Sequence, residues 1–343
     1  MDVALKIWRY DPDTGERALK TYEVEAPEWV CLLDVLDLIK DQVDGTLSYR
    51  KSCRMMICGS CGMRMDGRAV LACKERMKPI VESGHVPVIS AMGNMPVLKD
   101  LVVDMSPFWT KIRNMKPWLE TGYEELPERE FVVSQEEMNP IHKEALCIMC
   151  GCCVSECNSM ESDPEFFGPA ALAKGFRFVG DPRDQMKVER LEDYNDEHGI
   201  WDCTRCYFCN ERCPKGVDPR DAIAKLGAES IAEGIDRDMG AKHANWFVHS
   251  ARTTGWLRET ELVPKTQGVV SAIQQTKFAL TLAKRGKVPS PFPPHVADNV
   301  QEARALYEVV KTRGLKGAAG IVQGERALSR IEHTYHDEEK TEK

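Results

Sequence analysis

Residues 3–10, VALKIWRY, alternate apolar and polar positions as a half-buried strand does. The turn residues DPDTGE follow, and 17–25 read as the returning strand. The period then changes. In CLLDVLDLIKDQV, Leu32, Leu33, Val35, Leu36 and Ile39 fall on one helical face, and Cys31, which opens the segment, reads as a small core hydrophobe. Asp66-Gly67 inside GMRMDGRAVLA signals a second hairpin. These elements predict one domain over residues 1–105. Near the other end, 266–285 reads as a single amphipathic helix with Lys277, Lys284, Arg285 and Lys287 toward its end. KVPSPFPP reads as a stiff connector, 298–312 as another helix, and HDEEKTEK as a solvated end.

Length and charge narrow the class. A chain of 343 residues has room for two or three domains. A net charge of −8 argues against nucleic acid as a partner, because a phosphate-binding surface needs a basic excess. No apolar run approaches a membrane span, and MDVALKIWRYDPDTGER carries no secretory pattern. A soluble, cytoplasmic chain is expected.

The fourteen cysteines change the picture. They bunch in three clusters and leave 74–146, 158–202 and 214–343 without any. Disulfide staples spread, whereas cofactor ligands bunch. Cys53, Cys58 and Cys61 give C-x4-C-x2-C, with Cys73 following, which is the plant-type spacing for a 2Fe-2S cluster. Gly59 and Gly62 permit the backbone conformations and close approach of such a loop, whose amides would donate to sulfur. Zinc is the competing reading, but it normally takes two C-x2-4-C pairs. The surrounding strands and helix agree with a β-grasp ferredoxin domain.

Cys147, Cys150, Cys153 and Cys157 form one C-x2-C-x2-C-x3-C run, and Cys203, Cys206, Cys209 and Cys213 form another. In paired runs of this kind the last cysteine ligates the other cluster. Crossing assigns Cys147, Cys150, Cys153 and Cys213 to one 4Fe-4S cluster, and Cys157, Cys203, Cys206 and Cys209 to a third cluster. Cys152 breaks the spacing and reads as a bystander. No Walker loop, catalytic triad or dinucleotide fingerprint is recognisable, so three clusters make an electron wire whose chemistry lies on partners. No catalytic residue is assigned. A colourless zinc scaffold is the reading from another class.

A plant-type cluster domain followed by a helical two-cluster domain resembles the iron–sulfur subunit of succinate dehydrogenase and fumarate reductase. The resemblance covers about residues 1–240 and includes DLVVDMSPFW (100–109), FFGPAALAKGFRF (166–178) and CPKGVDP (213–219). It implies an α+β β-grasp domain over 1–105, an all-α bacterial-ferredoxin-like two-cluster domain over 106–240, and a helical extension over 241–343. It further implies a flavoprotein partner that carries the FAD and oxidises succinate, a membrane anchor, quinone near the third cluster, and a peripheral position on the cytoplasmic face of the membrane.

This chain departs from the family pattern at three points. Three cysteines matching Cys157, Cys203 and Cys209 commonly hold a 3Fe-4S third cluster, and Cys206 adds a thiolate, so 4Fe-4S is expected. With Cys206 as a bystander the cluster stays 3Fe-4S. Ser162 stands where a quinone-site tryptophan is usual and Thr204 where a histidine is frequent. Finally, 242–263 and 278–294 resemble the end of the heterodisulfide reductase small iron–sulfur subunit, which raises an alternative: a thiol-linked fumarate reductase with a CCG-bearing partner. His142, His198, His243 and His249 lack the paired spacing of a Rieske site and read as ordinary polar residues. Arg205, Arg212 and Lys215 lie in the last loop, where positive charge would raise a cluster potential.

Overall fold

The computed structural model describes residues 1–122, 127–287 and 295–312, and among them forms two compact units: 1–190 with 198–223, and 191–197 with the residues from 224 onward. In the first unit, β1 (Asp2–Tyr10) pairs antiparallel with β2 (Arg17–Glu25) in the register Asp2↔Glu25 to Tyr10↔Arg17, as the alternation requires. Helix α1 (Leu32–Gln42) follows. Then come β3 (Gly62–Met65) and β4 (Arg68–Leu71), α2 (Met77–Glu82) and β5 (Val88–Ser90). The sheet order is β2-β1-β5-β3-β4, with β1 and β5 parallel. Asp66 and Gly67, at φ +51° and +74°, make the two-residue turn between β3 and β4.

The inward residues of β1, Val3, Leu5 and Ile7, meet the Leu32, Leu33, Val35, Leu36 and Ile39 face of α1 in one core. Burying each such side chain is worth about 2 kcal/mol. Cys31 belongs to that core, and its thiol is pushed up to about 11 by burial. Arg9 occupies the next inward position of β1 and is also buried. Its guanidinium grips Asp100 through two hydrogen bonds, 2.8 and 3.1 Å, and also reaches Asp44 and Tyr22. A short hairpin of β6 (Val97–Lys99) and β7 (Val102–Val103) carries Asp100.

Helices take over from α3 (Ser106–Asn114). Short turns α4 (Gln135–Met138) and α5 (His142–Ala145) lead to α6 (Cys152–Ser155) and α7 (Asn158–Ser162). Then come α8 (Pro169–Val179), α9 (Lys187–Tyr194), α10 (Phe208–Glu211) and α11 (Pro219–Ala232). Pro169 at the first helical position starts α8. Its buried Ala170 and Ala173 keep this helix slim where it lines a cavity with Cys147, Cys150, Cys153 and Cys213. Arg190 is buried, pairs with Asp184 through two hydrogen bonds (3.0 and 2.8 Å), and donates to the carbonyls of Lys116 and Trp118 at 2.7 Å each.

The second unit contains α12 (Met239–Thr254), α13 (Glu259–Thr266), α14 (Val269–Gln274), α15 (Thr276–Lys284) and α16 (Val300–Thr312). The last is the helix expected over 298–312. The single helix expected over 266–285 is corrected: Gly268, at φ +90°, separates α13 from α14, and Gln275 ends α14 and begins α15. Residues 266–268 and 274–277, at the two breaks, are polar or glycine, a signal that the amphipathic reading passed over. The connector through 294 and the HDEEKTEK end lie outside the described residues, apart from Lys287.

Candidate metal centres

The loop carrying Cys53, Cys58 and Cys61 curls round its own sulfurs. The amides of Met55, Ile57 and Cys58 donate to Cys53 Sγ at 3.4, 3.4 and 3.3 Å, and that of Ser60 to Cys58 Sγ at 3.5 Å. Left-handed Arg54, Met56 and Gly59 (φ +59°, +59° and +72°) turn those amides inward. Cys73, two residues beyond β4, faces Cys61, whose buried thiol is pushed up to about 12. The Ser60 hydroxyl and nearby amides instead hold the Cys58 thiol down, near 6. Four thiol donors within a shell of amides fit a 2Fe-2S cluster. Arg54 clasps the loop onto α1 by pairing with Asp37, which Lys51 also meets at 2.6 Å. Sequence reasoning missed that clasp because its partners lie 14 to 17 residues apart on different elements.

The two later runs interlock. One cavity is lined by Cys147, Cys150, Cys153 and Cys213, and a second by Cys157, Cys203, Cys206 and Cys209. Each therefore takes three cysteines from one run and one from the other, the crossed sets expected from the spacing. The backbone repeats as well. Met149 and Gly151 (φ +54° and +80°) in the first run correspond to Arg205 and Tyr207 (+56° and +67°) in the second. Gly151 then caps α6 as Tyr207 caps α10. Cys206 thus stands in its loop where Cys150 stands in the other. Cys206 is exposed, whereas Cys209 is buried. Cys152 is fully buried among the sheet's core residues, with its thiol against Cys150.

Charge around the third set is partly where it was anticipated. Burial pushes the Cys203 thiol up, while Arg205 and Arg220 work against it. Arg220 lies 4.4 Å over the Tyr207 ring and lines the cavity, a contact the sequence reading did not find. Arg212 pairs with Glu211 at 3.3 Å. Thr204 is held by Ser159, whose Oγ accepts from its amide at 3.1 Å and donates to the Asp202 carbonyl at 2.8 Å. None of His142, His198, His243 and His249 lines either cysteine cavity. His198 instead sits between Asp163 and Glu165, at 2.6 and 3.2 Å. A mainly apolar cavity of about 390 Å³ is lined by Phe108, Ile112, Val154, Met160 and Phe167, with Lys111 and Glu161 at its wall.

Comparison with known proteins gives the chain its relatives. A family described as "2Fe-2S iron-sulfur cluster binding domain" matches residues 4–110, and one described as "4Fe-4S dicluster domain" matches 145–217. The fumarate reductase iron-sulfur subunit of Haemophilus influenzae is 38% identical over 244 residues, covering 67% of this chain and 94% of its own. The 8-methylmenaquinol:fumarate reductase iron-sulfur subunit of Wolinella succinogenes is 33% identical over 285 residues, 82% of this chain and 89% of its own, and so takes in part of 241–343. Among solved structures, the Mycobacterium smegmatis Sdh1 complex in the apo form matches with a TM-score of 0.63 and 28% identity, covering 69% of this chain and 98% of that one.

Proposed function

The chain belongs to the family of iron–sulfur subunits of succinate dehydrogenase and fumarate reductase, and from that premise we propose how its cysteines divide the work of electron transfer. The 2Fe-2S cluster is held by Cys53, Cys58, Cys61 and Cys73, the middle 4Fe-4S cluster by Cys147, Cys150, Cys153 and Cys213. Cys157, Cys203, Cys206 and Cys209 hold a third cluster, which is 4Fe-4S. The observation that carries this last assignment is the matching backbone of the two runs, which gives Cys206 the position of Cys150. When bound, the clusters supply one-electron steps between a two-electron flavin and a quinone.

The protein's own residues do three things. Inward amides around Cys53 favour the more negative, reduced charge and hold the first potential up. Arg205 and Arg220 act the same way on the third set. Crossed ligation ties segments about 50 residues apart, so cluster assembly and folding are coupled. Residues 1–105 carry the first cluster on a β-grasp sheet, 106–240 carry the other two on helices, and 241–343 form the extension.

A flavoprotein subunit, carrying the FAD, exchanges electrons with the first cluster, and a membrane anchor with quinone receives them from the third. The Wolinella relative, named for a quinol and matching part of the extension, supports quinone over the thiol-linked alternative with a CCG-type partner. The apolar cavity beside Met160 is the approach open to such a ring, in the absence of the usual tryptophan at Ser162. No described helix is long and apolar enough to cross a membrane. In this reading the partners hold the subunit at the cytoplasmic face.

Electron paramagnetic resonance of the purified complex tests the assignment. A silent air-oxidised sample that develops interacting 4Fe-4S signals on dithionite reduction is the expected result. A strong, nearly isotropic signal in the oxidised sample would assign a 3Fe-4S cluster and leave Cys206 a bystander.

A further inference from the structure

Helices α14 and α15 bury no side chain. Nine residues are too few for a helix to hold in water without packing, since stability at this length comes from a covered apolar face. The uncovered residues here are large: Val269, Val270, Ile273, Phe278 and Leu280 are 57 to 72% exposed. On α15, Phe278, Leu282, Ala279, Ala283 and Leu280 follow one another around an apolar arc broken by Thr276, and Lys277, Thr281 and Lys284 occupy the other side.

Charge says what covers this face. From Val263 to Lys287 there is no aspartate or glutamate, while Lys265, Lys277, Lys284, Arg285 and Lys287 are all positive. The chain as a whole is −8. A solvated helix would not carry exposed Phe278 and Leu280, and a protein interface is depleted in lysine at its core. Apolar residues bordered by cations with no anion are the pattern of a helix lying in a membrane interface. At six and nine residues, α14 and α15 are far too short to span one.

We propose that the α14–α15 segment binds directly to the surface of an anionic lipid bilayer, with Phe278, Leu280 and Leu282 among the acyl chains and Lys277, Lys284, Arg285 and Lys287 at the headgroups. This adds a lipid contact of the subunit's own to attachment through partners, and it is independent of which cluster the cysteines hold.

Vesicle flotation tests it, using the full-length chain with its clusters reconstituted. Phosphatidylcholine vesicles are compared with and without phosphatidylglycerol, at low and high salt. The expected result is flotation that requires phosphatidylglycerol and weakens with salt. Each basic side chain near a charged surface contributes about fivefold in affinity, so replacing Lys277, Lys284, Arg285 and Lys287 together with glutamine should weaken binding at least about a hundredfold. Phe278→Ser with Leu280→Ser should also release the chain. Lys20→Gln with Lys99→Gln, on the first unit, removes surface charge without effect. Unchanged visible absorption of the clusters shows that each variant is folded. The proposal is overturned if the wild type does not float, if neutral vesicles bind it equally, or if the α15 variants float normally. Loss of a co-purifying subunit in those variants, without any lipid binding by the wild type, would give the surface to a protein partner and equally overturn it.

Discussion

Gly59 in the first cysteine loop lies directly against Cys150 in the second. A Cβ at residue 59 would stand 2.7 Å from the Cys150 Cβ and 2.8 Å from its Cα. Two cluster loops, 91 positions apart in the chain, therefore touch through a residue with no side chain. Gly62 adds to this closeness, since a Cβ there would come within 3.3 Å of the Cys150 carbonyl. The contact sets how near the first two sets of cysteines can come.

Gly59→Ala should consequently do more harm than backbone strain alone. Gly67 is also left-handed, at φ +74°, but has nothing within 4 Å of where a Cβ would go. Gly67→Ala therefore isolates the strain, about 1 kcal/mol. Gly59→Ala should exceed it clearly in denaturant unfolding, and should lower the iron and sulfide content or slow electron passage between the first two clusters. Equal costs for the two variants would show that the loops can separate freely.

Arg64 of β3 reaches across to the residue before Cys157. Its Nε donates to Glu156 Oε1 at 2.8 Å and its Nη2 to the Ser155 carbonyl at 2.6 Å. Glu156 is mostly buried, its side chain 13% exposed. Arg64→Ala leaves that carboxylate without its cation and should cost roughly 2 kcal/mol, as charged hydrogen bonds do. Glu156→Gln keeps an acceptor and should cost less. Midpoints of urea unfolding distinguish the two, and a neutral Arg64→Ala would refute the role assigned to the bridge.

Acid should weaken the fold partly through Asp181. Burial would push its carboxyl up, but hydrogen bonds from Arg183 and Arg177 prevail and hold it at about 2. In the unfolded chain it titrates near about 3.9. Between those values the unfolded state binds the extra proton, so stability rises with pH there. Asp181 should contribute roughly 2 kcal/mol, complete above about pH 5 and lost as pH falls from about 4 toward about 2. Unfolding free energies measured down this range should fall less steeply for Asp181→Asn.

Cys206→Ala should remove about one iron atom per chain and bring up a nearly isotropic signal in the oxidised protein, since a corner without a thiolate loses its iron. Cys152→Ala, which removes a buried thiol that lines neither cysteine cavity, should leave iron content unchanged. Iron analysis beside the spectra decides both. If Cys206→Ala alters neither, the third cluster does not use that thiol.

Much of this was legible without coordinates. The β1–β2 pair and the α1 face follow from local periods of two and 3.6, which depend only on which neighbours are apolar. Cysteine spacing is similarly local, because a cluster loop must present its sulfurs from adjacent residues. Where the same reasoning failed, at Gly268 and Gln275, apolar residues on either side were joined into one helix across polar and glycine positions that end it. The clasp of Arg54 on Asp37, the stacking of Arg220 on Tyr207 and the buried position of Arg9 each depend on where separate elements meet.

By itself, then, the sequence determined the first four strands and the first helix, the three groups of cysteines and the family, since each is encoded in short-range pattern. Tertiary structure decided which cysteines share a cavity, that Cys206 has the backbone setting of Cys150, and that Gly59 lets one loop rest on the next. It also left α14 and α15 with their apolar face uncovered. The physical reason is the same in each case: side-chain type and spacing set what a segment can do, whereas distance and burial between segments are settled only when the whole chain packs.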